Sequence, residues 1–147
     1  PKEEIPMMQR MRERRHGFTI IELLVVIAII AILAAVAIPA LLKAQDSGKE
    51  SGALQVLKSL RNAEETYRVR SDEKQYGELK DLRDAGLSPL DESNTDPNTK
   101  YVFSCDVDKE NDTYTITATA PKNGLLDYTL DQTGTITQSE HGGTGGN

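Results

Sequence analysis

The carboxylate of Glu22 stands at the start of a long apolar run and is the side chain whose position most needs a chemical explanation. From Leu23 to Leu42 the chain has 20 consecutive residues without a charge or a polar side chain. A helix of that length spans roughly 30 Å, the thickness of the hydrocarbon core of a bilayer. A carboxylate costs about 2.5–3.5 kcal/mol at the centre of such a helix and less near its end. The sequence therefore predicts that Glu22 has a specific partner or role.

An amine is the partner that would explain Glu22. If the chain is cut between Gly17 and Phe18, the new α-amino group is protonated at neutral pH and lies four residues before Glu22. The two groups can pair within one chain or, when helices stack with an axial offset, between neighbouring chains. A satisfied pair between subunits sets their register, whereas a lone carboxylate in hydrocarbon is costly. The alternative is a Glu22 that snorkels to the lipid headgroups.

The other reactive residue types do not form a recognisable site. Two His and one Cys exclude a His/Cys metal cage and a disulfide, and Cys105 is predicted to be a small, half-buried residue of a strand. Four acidic residues between positions 106 and 112 suggest calcium, but the EF-hand pattern requires Gly and Glu where Asn111 and Thr117 stand. We therefore expect no catalytic residues, no metal and no cofactor, and hence no enzyme.

The charges along the chain predict its orientation. Residues 1–17 carry five positive and three negative charges, whereas the rest of the chain has a net charge of −8. A basic cluster before an apolar helix stays in the cytoplasm, which places the acidic C-terminal body across the membrane. This charge order also argues against nucleic-acid binding.

General export rules leave two interpretations of the apolar run open. In one, residues 1–37 are a secretory signal with Ala35-Val36-Ala37 as its cleavage site, and signal peptidase releases a secreted soluble binding domain. In the other, the cut follows Gly17 and the apolar helix is retained. Glu22 favours the second interpretation, because a signal peptide has no evident use for a carboxylate.

The residues from Gly17 to Pro39 resemble the processing and assembly motif of type IV prepilins and of the related type II secretion pseudopilins. Gly17 is the small residue before the cut, Phe18 the hydrophobic residue after it, Glu22 the fifth residue beyond the cut and Pro39 the twenty-second. The resemblance implies that a prepilin peptidase cleaves after Gly17 and that the new amine of Phe18 is then methylated. It also implies that Glu22 guides docking into a helical, homo-oligomeric filament.

The same resemblance implies partners and a location. The subunit would wait in the inner membrane as a single-pass precursor, and an assembly platform with a cytoplasmic ATPase would extrude it into a cell-surface filament. The major pseudopilin of type II secretion usually has an Asp-Pro-Trp-Gly stretch, but this chain has no Trp and follows its only Asp-Pro, Asp96-Pro97, with Asn98. This favours a pilin, with a pseudopilin or minor pilin of a secretion or DNA-uptake system as the alternative.

The remaining pattern predicts an α+β fold, which is also the type IV pilin fold that the resemblance implies. Apolar residues at helical spacing between Ala53 and Tyr67 extend the first helix, with Glu64 and other charged residues on its remaining faces. After residue 100, consecutive hairpins predict an antiparallel sheet of about four strands packed on that helix. Pro39 is expected to kink or weaken the helix, because proline removes an amide donor and crowds the preceding turn.

The domain organisation follows from these patterns. We expect a basic leader that is removed (1–17), a transmembrane and filament-core helix (18–42), an amphipathic half (43–70), a connector (71–99), a sheet (100–138) and a flexible tail (139–147) containing His141. Within the connector one short helix is predicted from Tyr76 to Ala85. The strands are expected at 101–107, 113–120, 125–130 and 135–138.

Overall fold

The computed structural model describes residues 17–142 and has the predicted α+β architecture. A long helix α1 is followed by a short helix α2 and four strands: α1 (Ile20–Arg70), α2 (Leu79–Asp84), β1 (Val102–Asp108), β2 (Thr113–Thr119), β3 (Leu126–Asp131) and β4 (Ile136–Glu140). The chain divides between Ala40 and Leu41 into two compact units, so that α1 contributes to both. The predicted fold class is confirmed. Residues 1–16 of the predicted leader lie outside the described range.

The N-terminal unit is an apolar helix with no buried face. Each large apolar residue from Phe18 to Ile38 exposes half or more of its surface. By length and composition this part of α1 is able to cross a membrane. The helix continues through Pro39 without interruption, so a kink at this residue stays a prediction.

The second unit is built around an antiparallel sheet whose strands lie in the order β1-β2-β3-β4. Strand β2 alternates between buried and half-buried residues, and its buried positions are Tyr114, Ile116 and Ala118. These side chains belong to the same core as Leu57 and Leu60 of α1. This is the predicted packing of one sheet face against the amphipathic half of the helix.

The prediction for Glu64 is wrong, because its side chain is fully buried on the core face of α1. Glu64 follows Leu57 by seven residues and Leu60 by four, which are spacings of a single helix face. Judged by its charge alone, a carboxylate at this position is expected to face solvent. The structure shows that helical phase decides its location here.

Helix α2 is shorter than predicted because side chains accept hydrogen bonds from the first backbone N–H groups of the segment. The N–H of Gly77 donates to Oε2 of Glu64 (3.1 Å), and the N–H of Glu78 donates to Oδ2 of Asp81 (2.9 Å). The helix therefore begins at Leu79 rather than Tyr76. It ends before Gly86, whose φ of 70° is typical of the residue that terminates a helix.

The predicted flexible tail is wrong for residues 139–142. Strand β4 continues to Glu140, because Leu126 of β3 pairs with Glu140 and Asp127 pairs with Ser139. His141 then donates its backbone N–H to the carbonyl of Leu125, and its Nδ1 lies 3.0 Å from Oδ1 of Asp127. Residues 143–147 lie outside the described range.

Two glycines of α1, Gly48 and Gly52, allow a matched test of how closely the connector packs against the helix. A Cβ at Gly52 would lie 2.5 Å from Cγ2 of Thr99, a buried residue fixed by a hydrogen bond to Asp96, whereas a Cβ at Gly48 would have no atom within 4 Å. We expect Gly52→Ala to lower the free energy of unfolding by about 1–3 kcal/mol through overpacking. Gly48→Ala should raise it by about 1 kcal/mol through helix propensity.

The measurement is urea unfolding of the full chain in detergent, followed by circular dichroism. Equal effects of the two substitutions would contradict the close approach of Thr99 to Gly52.

Candidate functional site

The predicted cleavage position lies just before α1. Gly17, Phe18 and Thr19 have no helical structure, and α1 begins at Ile20. Phe18 is 94% exposed, and a Cβ at Gly17 would have no heavy atom within 4 Å. The peptide bond between Gly17 and Phe18 is therefore in an accessible, non-helical segment, as a peptidase requires.

Glu22 lies in the first turn of α1, where it forms a capping box with Thr19. Oε2 of Glu22 accepts the backbone N–H of Thr19 (2.8 Å) and its hydroxyl (2.9 Å), and Oγ1 of Thr19 accepts the N–H of Glu22 (3.2 Å). Thr19 is the N-cap residue and Glu22 the third helical residue, so each side chain satisfies a backbone donor of the other. The sequence interpretation missed this pair, although Thr-x-x-Glu before an apolar run is its known signature.

The capping box explains how an apolar helix accommodates a carboxylate. The negative charge lies at the helix N-terminus, where the unpaired amide groups favour an anion. Both bonds from Thr19 reach the same oxygen, Oε2. Within residues 17–142, Oε1 of Glu22 accepts no hydrogen bond. The geometry thus leaves one carboxylate oxygen for a further donor such as an amine.

The structure places the predicted site residues in two locations. Gly17, Phe18 and Glu22 lie within one short segment at the start of α1. Pro39 follows Glu22 by 17 residues in the same helix, which corresponds to about 26 Å along the axis. The cleavage, methylation, assembly and kink roles of these four residues stay predictions.

A network of polar contacts in the second unit holds the start of the connector. Nε of Arg68 donates to the carbonyl of Lys74 (3.1 Å), and Nη1 donates to the hydroxyl of Tyr76 (3.1 Å). Arg68 also forms an ion pair with Asp112 in the turn between β1 and β2. These contacts join α1, the connector and the sheet. Across residues 17–142, no three His, Cys, Asp or Glu side chains are grouped to hold a metal ion.

Comparison with known proteins agrees with the motif and the fold. The family model described as the prokaryotic N-terminal methylation motif matches residues 12–38, the segment that contains the capping box. The fold and this motif together resemble those of pilin-like proteins that carry the N-terminal methylation motif. No solved structure matches the chain.

A curated relative specifies the resemblance further. The chain is 39% identical over 65 residues to the type IV major pilin protein PilA of Myxococcus xanthus (strain DK1622). The match covers 44% of this chain and 30% of that protein, so the chain spans about a third of the length of the relative it matches. The resemblance to type IV pilins that the sequence predicts is confirmed.

The capping box predicts the effect of changing Thr19. Thr19→Ala removes the hydroxyl that both donates to and accepts from Glu22, and we expect a loss of about 1 kcal/mol in the stability of the first turn of α1. Amide hydrogen exchange of Glu22 and Leu23, whose N–H groups bond to Oγ1 and to the carbonyl of Thr19, should then be roughly fivefold faster in detergent micelles, since about 1 kcal/mol is a factor of five. Thr19→Ser, which keeps the hydroxyl, is the control. Unchanged protection in Thr19→Ala would show that the box does not hold the turn.

Proposed function

We propose that this chain is a structural subunit, a pilin, of a type IV pilus-like filament. The observation that supports this most is the exposed apolar half of α1 with one carboxylate in its first turn. A soluble, freestanding domain has no means of keeping such a surface out of water. The helix therefore requires lipid or other copies of itself as its environment.

The helix would occupy these two environments one after the other. Before assembly the helix lies in the inner membrane, with the basic residues before it in the cytoplasm and the acidic second unit on the other side. During assembly the helix moves from lipid into the core of a filament. This exchange replaces one apolar environment with another, so packing and polar pairs select the final position. A platform driven by a cytoplasmic ATPase can then extrude subunits without exposing apolar surface to water.

Processing would prepare the N-terminus for this step. In the proposal, a prepilin peptidase cleaves after Gly17 and the same enzyme methylates the amine of Phe18. The accessible, non-helical backbone at this bond supports cleavage there. The match to the N-terminal methylation motif supports the modification.

Glu22 would set the register of the filament. Its capping contacts use Oε2, and Oε1 can accept a hydrogen bond from the methylated amine of Phe18 in a neighbouring subunit. A charge-assisted bond of this kind in a low-dielectric core is stronger than a neutral one. A subunit docked in a wrong register would bury both charges unpaired, at a cost of several kcal/mol.

The proposal predicts the mature N-terminus. The protein isolated from cell membranes should begin at Phe18 and carry the additional mass of one methyl group, as measured by N-terminal sequencing and intact mass spectrometry. The Phe18 amine and the following helix are both required for docking, so both should be present in the mature chain. A mature protein that begins at Ile38 would instead show a secreted binding domain released by signal peptidase.

A pair of substitutions separates two roles of Glu22. Glu22→Ala should leave the protein in the membrane and abolish its recovery in filaments sheared from the cell surface. Glu22→Gln keeps the hydrogen bonds to Thr19 but loses the charge, because glutamine also forms capping boxes. We expect Glu22→Gln to assemble as poorly as Glu22→Ala, since the amine needs a charged partner.

The amount of subunit in the sheared fraction is the measurement, with the membrane fraction as the control for insertion. Normal filaments from Glu22→Gln would reduce the role of Glu22 to capping the helix. A wild-type subunit that dominates the sheared filaments supports a pilin, whereas its absence from them supports a pseudopilin.

A further inference from the structure

Glu64 is a buried carboxylate for which the filament proposal has no use. It lies on the core face of α1 and is fully buried. Its Oε2 accepts the N–H of Gly77 in the connector (3.1 Å), and its Oε1 accepts the thiol of Cys105 on β1 (3.5 Å). One side chain thus joins α1 to the connector and to the sheet.

Apart from its two hydrogen-bond donors, the surroundings of Glu64 disfavour a negative charge. The titratable groups that face it are acidic or neutral, and they come from each element packed against it: Glu65 and Tyr67 on α1, Asp81 on α2, Cys105 on β1 and Tyr114 on β2. Two arginines of α1 lie near this cluster. Arg61 acts on Tyr114, and its guanidinium lies beside Gly134, since a Cβ at Gly134 would be 2.7 Å from Nη1 of Arg61. Arg68 is engaged by Tyr76 and Asp112, and no Lys, Arg or His of residues 17–142 forms an ion pair with Glu64.

Burial is the largest cause of the shifted ionisation of this group. The pKa of Glu64 is raised from its ordinary 4.5 to about 7, because desolvation outweighs the opposing effect of the bonds from Gly77 and Cys105. Burial also raises the pKa of the Cys105 thiol, with the charge of Glu64 as the next cause, so the thiol keeps its proton and acts as the donor.

The contact with Gly77 is tight. A Cβ at Gly77 would lie 2.7 Å from Cε1 of Tyr67 and 3.1 Å from Cβ of Asp81, so the backbone of the connector lies directly against α1. Beyond Gly77, Leu79 and Leu82 of α2 are buried in the core. Movement of this part of the connector away from α1 would expose the Glu64 carboxylate to water.

We propose that Glu64, Gly77 and Cys105 form a pH-sensitive latch that holds the connector closed while Glu64 is protonated and favours its opening when Glu64 is ionised. Among residues 17–142 no cation forms an ion pair with Glu64, so an ionised carboxylate in this acidic site gains solvation by admitting water. Opening at Gly77 is the movement that admits it. The latch does not depend on the filament function, because it lies wholly within residues 41–142.

The direction of the pH dependence follows from proton binding. Below the ordinary pKa of 4.5, Glu64 is protonated in the closed and the open state, and the latch is fully closed. As the pH rises from 4.5 to about 7, the open state releases its proton first, so the closed state loses stability. Above about 7 both states are ionised and the loss is complete. The difference of 2.5 pH units corresponds to a roughly 300-fold change in the opening equilibrium.

The test is amide hydrogen exchange of residues 71–79 in the full chain, in detergent, between pH 4.5 and 9, corrected for intrinsic exchange rates. In the wild type, protection should fall with rising pH by up to roughly 300-fold and level off above pH 7. Glu64→Gln, which is uncharged at every pH, should give a flat profile. Glu92→Gln removes a charge from an exposed residue of the connector outside residues 71–79 and should keep the wild-type profile.

Three results would overturn the proposal: a flat wild-type profile, a wild-type profile that rises with pH, or a Glu64→Gln profile that follows the wild type. Where Glu64→Gln does not fold, the carboxyl resonance of Glu64 in the wild type decides the question. A titration midpoint near 7, the pH at which the loss of protection at 71–79 levels off, supports the latch, and a midpoint near 4.5 refutes it.

Discussion

The whole chain depends on one helix that meets two different environments. In its N-terminal part α1 exposes apolar side chains on all faces, and in its C-terminal part it buries one stripe against a sheet. The second part needs a narrow apolar face because strands cover only one side of it. In the proposed membrane and filament states lipid or neighbouring helices surround the first part, so it needs no polar face. The same secondary structure therefore serves both units, and only the side-chain pattern changes between them.

Two carboxyl groups on α1 lie among apolar residues and are accommodated in two different ways. Glu22 lies at the helix N-terminus, where Thr19 and the end of the helix provide donors for the ionised form. Glu64 lies in mid-helix, where backbone donors of α1 are already used, and it relies on the connector and a thiol. Donors at a helix end can hold a charge, whereas a buried mid-helix site favours the protonated form. Position along the helix thus sets how each group responds to pH.

The sequence predicts those features that rest on long patterns or on a fixed motif. The apolar run, the helical stripe and the strand alternation each repeat over many residues, and the fold class follows from them. The tail and Glu64 were predicted wrongly because residue type was given more weight than position. Ser139 and Glu140 are polar, yet their backbones complete the pairing of β4 with β3. Glu64 is charged, yet its spacing from Leu60 puts it in the core.

The capping box is predictable from the sequence. In the proposed function it connects the processing step, cleavage after Gly17, with the assembly step. Thr19 and Glu22 both follow the predicted cut after Gly17, so their three hydrogen bonds remain possible in the mature chain. These bonds hold the Glu22 carboxylate in one rotamer before any neighbour arrives. A carboxylate fixed in this way loses less conformational entropy when an amine binds it, which strengthens the pair. In the proposed assembly, the residue that caps the helix would therefore also prepare Glu22 for its partner.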